Sequence, residues 1–177
     1  MMLKLLLVAI GLAGGEPRAR DLYLASAKAG PGQDGPLGLR YSLLKKAAEG
    51  EFVEVDSDSW FRAGDSVRLS LEINGAAYLR VCQRGSSGQL SQLFSSDGPL
   101  APGRRHQVPA KGEFRFDERP GAETLFIVLS RQPEPGCGHD LAMEAVYSQR
   151  AENAVYIVNR RAGRDARLVA EVTLKHR

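Results

Sequence analysis

Val67, Leu69, Leu71 and Ile73 alternate with Ser66, Arg68, Ser70 and Glu72. Period-two alternation puts the four aliphatic side chains on one face of an extended segment and the polar ones on the other, as in a strand with one face in a core. Asn74-Gly75 follows at once, and residues 77–82 (AYLRVC) resume the β pattern. Two such runs joined by Asn-Gly read as a hairpin. Residues 124–129 (TLFIVL) are apolar without alternation, as expected of a central strand covered on both faces. Shorter β segments are expected at 90–94 and 114–116. A second hairpin is expected from 154–158 and 168–175, closed by Asn159 to Arg167. One short helix is expected at 141–149, with Asp140 as its N-cap. Many short strands separated by Gly/Pro turns predict an all-β chain folded as an antiparallel, immunoglobulin-like β-sandwich. Its core should include Val67, Leu69, Leu71, Leu79, Val81, Leu125, Ile127 and Val172.

The N-terminus has the order of a secretory signal. Lys4 supplies the positive charge, residues 5–13 (LLLVAIGLA) a short apolar run, and Ala13 and Gly15 the small residues before a cut at Glu16. The run falls short of the roughly 20 residues that span a bilayer. This divides the chain into a signal peptide (1–15), a flexible Gly/Pro-rich leader (16–38) and one β-sandwich domain (39–177). The expected location is secreted or periplasmic. Residues 30–38 hold four Gly and two Pro, which opposes regular structure there. The formal net charge of +3 gives no basis for a nucleic-acid partner. Basic residues do concentrate late: residues 150–177 carry seven Lys/Arg against three Asp/Glu. Arg160 and Arg161 in that stretch are candidates for a contact surface, against the alternative of a solvated turn.

Cys137-Gly138-His139-Asp140 is a cluster of nucleophilic and metal-ligating groups. A zinc site needs three or four such ligands, and a cysteine nucleophile needs a base and an orienting group. Spacing supplies neither, so no metal, cofactor or catalytic residue is assigned. Cys137, His139 and Asp140 stand as the set an enzyme would use. Asp56, Asp58 and Asp65 offer oxygen ligands, but Trp60 and Phe61 occupy places where a calcium loop needs ligands and glycine. Gly64-Asp65 reads as a turn with a capping carboxylate. Trp60 should point away from Phe61 in an extended segment, and with Tyr78 it is a candidate contact surface for a sugar polymer. Cys82 and Cys137 are candidates for one disulfide closing a loop of about 55 residues; Cys82 reads equally as a small buried hydrophobe.

Residues 58–71 (DSWFRAGDSVRLSL), 78–88 (YLRVCQRGSSG) with Leu93-Phe94, and 114–117 (FRFD) with 120–131 (PGAETLFIVLSR) occur in order. Together they resemble the bacterial "domain of unknown function 4384" family over residues 39–133, and 155–177 resembles the C-terminal hairpin of its secreted single-domain members. Arg80 departs from the pattern, standing where the family favours Tyr. The resemblance implies a β-sandwich outside the cytoplasm and implies no activity. The expected function is an exported, non-catalytic binding or accessory module of the bacterial envelope or exterior, with a protein or envelope polymer as partner and no membrane span once mature. A metal-dependent or cysteine enzyme and a carbohydrate-binding module are the alternatives.

Overall fold

The structure, a computed structural model, describes residues 18–28, 35–84, 88–138, 141 and 146–177. The signal segment, the Ser86-Ser87 turn, His139 and Asp140 lie outside the described residues. One helix, α1 (Ala19–Lys28), precedes twelve strands: β1 (Pro36–Lys46), β2 (Phe52–Val55), β3 (Trp60–Phe61), β4 (Ser66–Ile73), β5 (Tyr78–Arg84), β6 (Leu90–Ser95), β7 (Arg105–Val108), β8 (Phe114–Arg115), β9 (Gly121–Ser130), β10 (Val146–Ala151), β11 (Ala154–Ala162) and β12 (Arg167–His176).

The strands form two sheets. One runs β10-β11-β1-β4-β7, with β2 alongside β1 and β8 alongside β4; the other runs β3-β12-β9-β5-β6. All pairings are antiparallel except β12 with β3. This is the expected antiparallel β-sandwich. The alternating set of β4 faces the interior, and all eight expected core residues are buried in one cluster between the sheets. Strand β9 lies between β12 and β5, and its apolar run is buried on both faces.

Each sheet also has an outer cover. Helix α1 lies on the outer face of the first sheet, where Ala19 and Tyr23 pack with Ala154, Tyr156 and Val158 of β11. Asp21 in its first turn and Lys28 in its last complement the helix dipole. The segment read as a flexible leader is thus partly a docked helix. Its order comes from burying Tyr23, whose ring meets that of Tyr156 edge-on at 5.4 Å. On the second sheet, the outward residues Cys82, Phe126, Val128 and Val169 are covered by Cys137 and Leu141 of the segment after β9.

Three local expectations are corrected. Strands β4 and β5 lie in different sheets, so Asn74-Gly75 closes no hairpin. The Asn74 side chain instead accepts from the Gly38 N–H (2.6 Å) and donates to the Pro36 carbonyl (3.2 Å), binding the end of β4 to β1. Strands β11 and β12 also lie in different sheets, and the turn between them is an arch from one layer to the other. The C-terminal hairpin is β10 with β11, turning at Glu152, which takes φ +56°. Residues 146–149, expected in a helix, belong to β10 because they pair with the edge of β11.

Candidate functional site

Alternation on three neighbouring strands builds the site. The inward-facing residues are Leu79, Val81 and Gln83 on β5; Glu123, Leu125, Ile127 and Leu129 on β9; and Leu168, Ala170, Val172, Leu174 and His176 on β12. The inward set changes from apolar to polar at the same end of each strand, where Gln83, Glu123 and His176 stand. Register places Gln83 opposite Leu125, Glu123 opposite Leu174, and His176 opposite Gly121. Across the interior at this end, β8 and the residue after it bring in Phe114 and Phe116.

The result is a cleft of about 180 Å³ at the open end of the sandwich. Phe114, Phe116, Leu125 and Leu174 give it apolar walls, and Gln83, Glu123, Asp117, Arg115 and His176 line it with polar groups. Gln83 Nε2 donates to Glu123 Oε2 at 2.8 Å. Asp117 Oδ1 accepts from the Arg119 N–H at 2.8 Å. His176 is 5% exposed, its ring stacks on Phe116 at 4.8 Å, and its Nδ1 is buried without a hydrogen-bond partner. Phe116 stacks in turn on Phe61 at 5.0 Å, so the wall is a column of three rings. Among the described residues no group of His, Cys, Asp and Glu is arranged to hold a metal ion.

The residues singled out in the sequence do not gather at this cleft. Trp60 is 57% exposed and Phe61 is buried, as the alternation requires. Trp60 sits level with Lys175 and Ala122, whereas Tyr78 sits level with Ser130. Eight residues along β9 separate those levels, about 26 Å at strand spacing. The two rings therefore form no common platform, although both belong to the second sheet. Arg160 lies over the Tyr147 ring at 4.5 Å, beside Arg18 in a shallow depression. The Arg161 N–H donates to Asn159 Oδ1 at 2.7 Å.

Asp56 and Asp58 face Arg150, whose guanidinium reaches them at 3.4 and 2.6 Å. Asp65 is elsewhere. It accepts from Lys45 Nζ at 2.7 Å and from the Arg62 N–H at 2.9 Å, the expected capping role. Burial alone would raise its pKa, but these two bonds hold the carboxyl below the usual range. The three acids are thus divided between separate ion pairs.

Cys82 and Cys137 form a disulfide, with Cα atoms 5.9 Å apart. Cystine formation removes the thiolate that a nucleophile or zinc ligand requires, so Cys137 takes neither role in this state. Arg80 adds to the tether by donating to the carbonyls of Glu134 and Pro135, and Arg167 Nε bonds the Glu134 carboxylate at 2.7 Å. The departure from the family pattern at Arg80 thereby has a structural use. The cleft residues Gln83, Glu123 and His176 were not anticipated from the sequence. Their signal is a polar residue in the inward phase at a strand end, legible only once each strand's inner face is fixed.

Fold and site together define a β-sandwich domain with a disulfide-tethered outer segment and an apolar-walled cleft at one open end. Residues 60–133 match the family model described as Domain of unknown function (DUF4384). The resemblance read in the sequence therefore holds over the segment from β3 to just beyond β9. No curated protein and no solved structure matches the chain.

Proposed function

We propose that this protein is an exported, non-catalytic binding or accessory module of the bacterial envelope or exterior, and that it engages its partner at the open end of the sandwich. The observation that carries this reading is the cleft itself: a concavity with apolar walls and a few converging polar groups is the usual form of a recognition site. Export is supported by the order of Lys4, the apolar run 5–13 and the small residues before Glu16. It is supported also by the Cys82–Cys137 bond, since disulfides persist in oxidising compartments. Among the described residues no helix is long and apolar enough to cross a membrane.

Site-specific photo-crosslinking in the native cell tests the reading. A benzophenone side chain placed at Arg115, exposed in the cleft lining, should give one discrete adduct in the envelope or culture-fluid fraction. The same group at Glu49, in the exposed β1–β2 turn, should give none. Equal labelling from both positions, or adducts confined to the cytoplasmic fraction, would count against it.

A further inference from the structure

We propose that the cleft receives a basic side chain, the ammonium or guanidinium group of a Lys or Arg on a partner polypeptide. This rests on the binding reading above and names the chemistry of that same site.

Glu123 and Asp117 both line the cleft, and among the described residues neither has a cation within ion-pair distance. Among the described residues other carboxylates are held by cations: Glu54 by Arg40, Asp65 by Lys45, Glu113 by Lys46 and Glu134 by Arg167. Glu123 has its Oε2 held by the Gln83 amide, a neutral donor that fixes the carboxylate and leaves its charge in place. A preorganised carboxylate spends less entropy when a ligand arrives. Arg115 is the one cation among the lining residues, and it is exposed and makes no ion pair with either acid.

Shape and acceptors agree with charge. The walls are Phe114, Phe116, Leu125 and Leu174, which suit an alkyl stem carrying a cationic head. His176, nearly fully buried, closes the same wall with its ring, stacked on Phe116. An anionic ligand would meet two unpaired carboxylates. A bare divalent metal would require a ligand set that the described residues do not form.

The experiment uses the mature chain labelled with ¹⁵N. Four probes are titrated while the Gln83 side-chain amide and the His176 ring nitrogens are followed. The probes are the peptide Gly-Gly-Lys-Gly-Gly with blocked ends, the same peptide with its lysine acetylated, n-butylammonium, and calcium chloride. The lysine peptide should shift both reporters saturably, weaken as salt rises and bind more tightly than butylammonium; the acetylated peptide should not bind. Glu123→Gln keeps the hydrogen bond to Gln83 within reach while removing the charge, and should weaken the lysine peptide by roughly tenfold or more. Its spectral dispersion shows whether the fold is retained. Binding of the acetylated peptide as tightly as the free one, or reporters that respond to calcium alone or to no probe, would overturn the proposal. Tighter binding of butylammonium than of the peptide would overturn the polypeptide source. If the Arg115 crosslink forms but no cation binds, the binding module stands and only its ligand chemistry falls. If cations bind but no crosslink forms, the partner reading falls instead.

Discussion

Gly38 shows how one residue ties a strand end to its neighbours. A Cβ at this position would lie 2.7 Å from Asn74 Nδ2 and 2.9 Å from Tyr23 Cδ2. Gly38→Ala should therefore push both the β4 end and α1 outward and destabilise by about 1–3 kcal/mol in urea denaturation. Leu69→Ala, in the middle of the inward row of β4, should cost roughly 2–5 kcal/mol. A loss below ~0.5 kcal/mol would mean that Leu69 faces solvent. Titration offers a separate probe of Tyr23. Burial raises its pKa, and the Glu72 carboxylate, which accepts its hydroxyl at 3.4 Å, raises it further. Burial raises Tyr41 as well, with Arg150 opposing. A phenol whose pKa is higher folded than unfolded contributes stability that is complete below the unfolded value, about 10, and is lost as pH rises through the folded one. The urea midpoint should thus fall between pH 9 and 11, and Tyr23→Phe should flatten that fall while leaving the part due to Tyr41. Asp65 works in the opposite direction. Its lowered pKa adds stability above the ordinary carboxylate range that disappears as pH falls through the folded value, and Asp65→Asn should remove that acid-side slope.

Elements were legible where a pattern reports a local property, and less so where it stands for a choice of partner. The inward rows of β4, β5, β9 and β12 follow from alternation and apolar runs, because burial acts on each side chain directly. Hairpins require more. Asn74-Gly75 and the stretch 159–167 both announce that the chain reverses, and reversal is compatible with edge pairing or with an arch between layers. The competing information is the Asn74 side chain bound to β1 and the Asn159 amide bound to the Arg167 carbonyl, which no local pattern displays. The β10–β11 hairpin is concealed for the converse reason: its turn carries Glu152 in the left-handed region, where Gly or Asn would have announced it. The outer segment after β9 gives a test at this scale. Replacing Cys82 and Cys137 together with Ala opens a loop of about 55 residues, and the chain-entropy model gives a loss of roughly 4 kcal/mol. Arg80 and Arg167 still grip Glu134 and Pro135 in that variant. Hydrogen exchange should therefore accelerate most at the amides of residues 136–138, with that of Glu134 less affected.

For the whole molecule, the matched family segment is not a self-sufficient unit. Within residues 60–133, β3 and β9 belong to one sheet, but β12 lies between them and comes from outside the segment. Strand β1, flanking β4, also lies outside. A fragment of residues 60–133 should accordingly lack a cooperative thermal transition, whereas residues 16–177 should show one. The cleft has the same dependence, since His176 arrives on β12 and Glu123 on β9; it could not be read from the family-like blocks alone. Every cleft residue is visible in the sequence, yet its inward phase and its neighbours emerge only from the register of three strands. Export and the cystine are tested together by the intact mass of the native protein, taken with and without thiol alkylation. The native chain should begin near Glu16, be lighter than its reduced form by the two thiol hydrogens and take up no alkylating agent until reduced. A chain that still begins at Met1 or Met2 and alkylates at both Cys82 and Cys137 without reduction would contradict it.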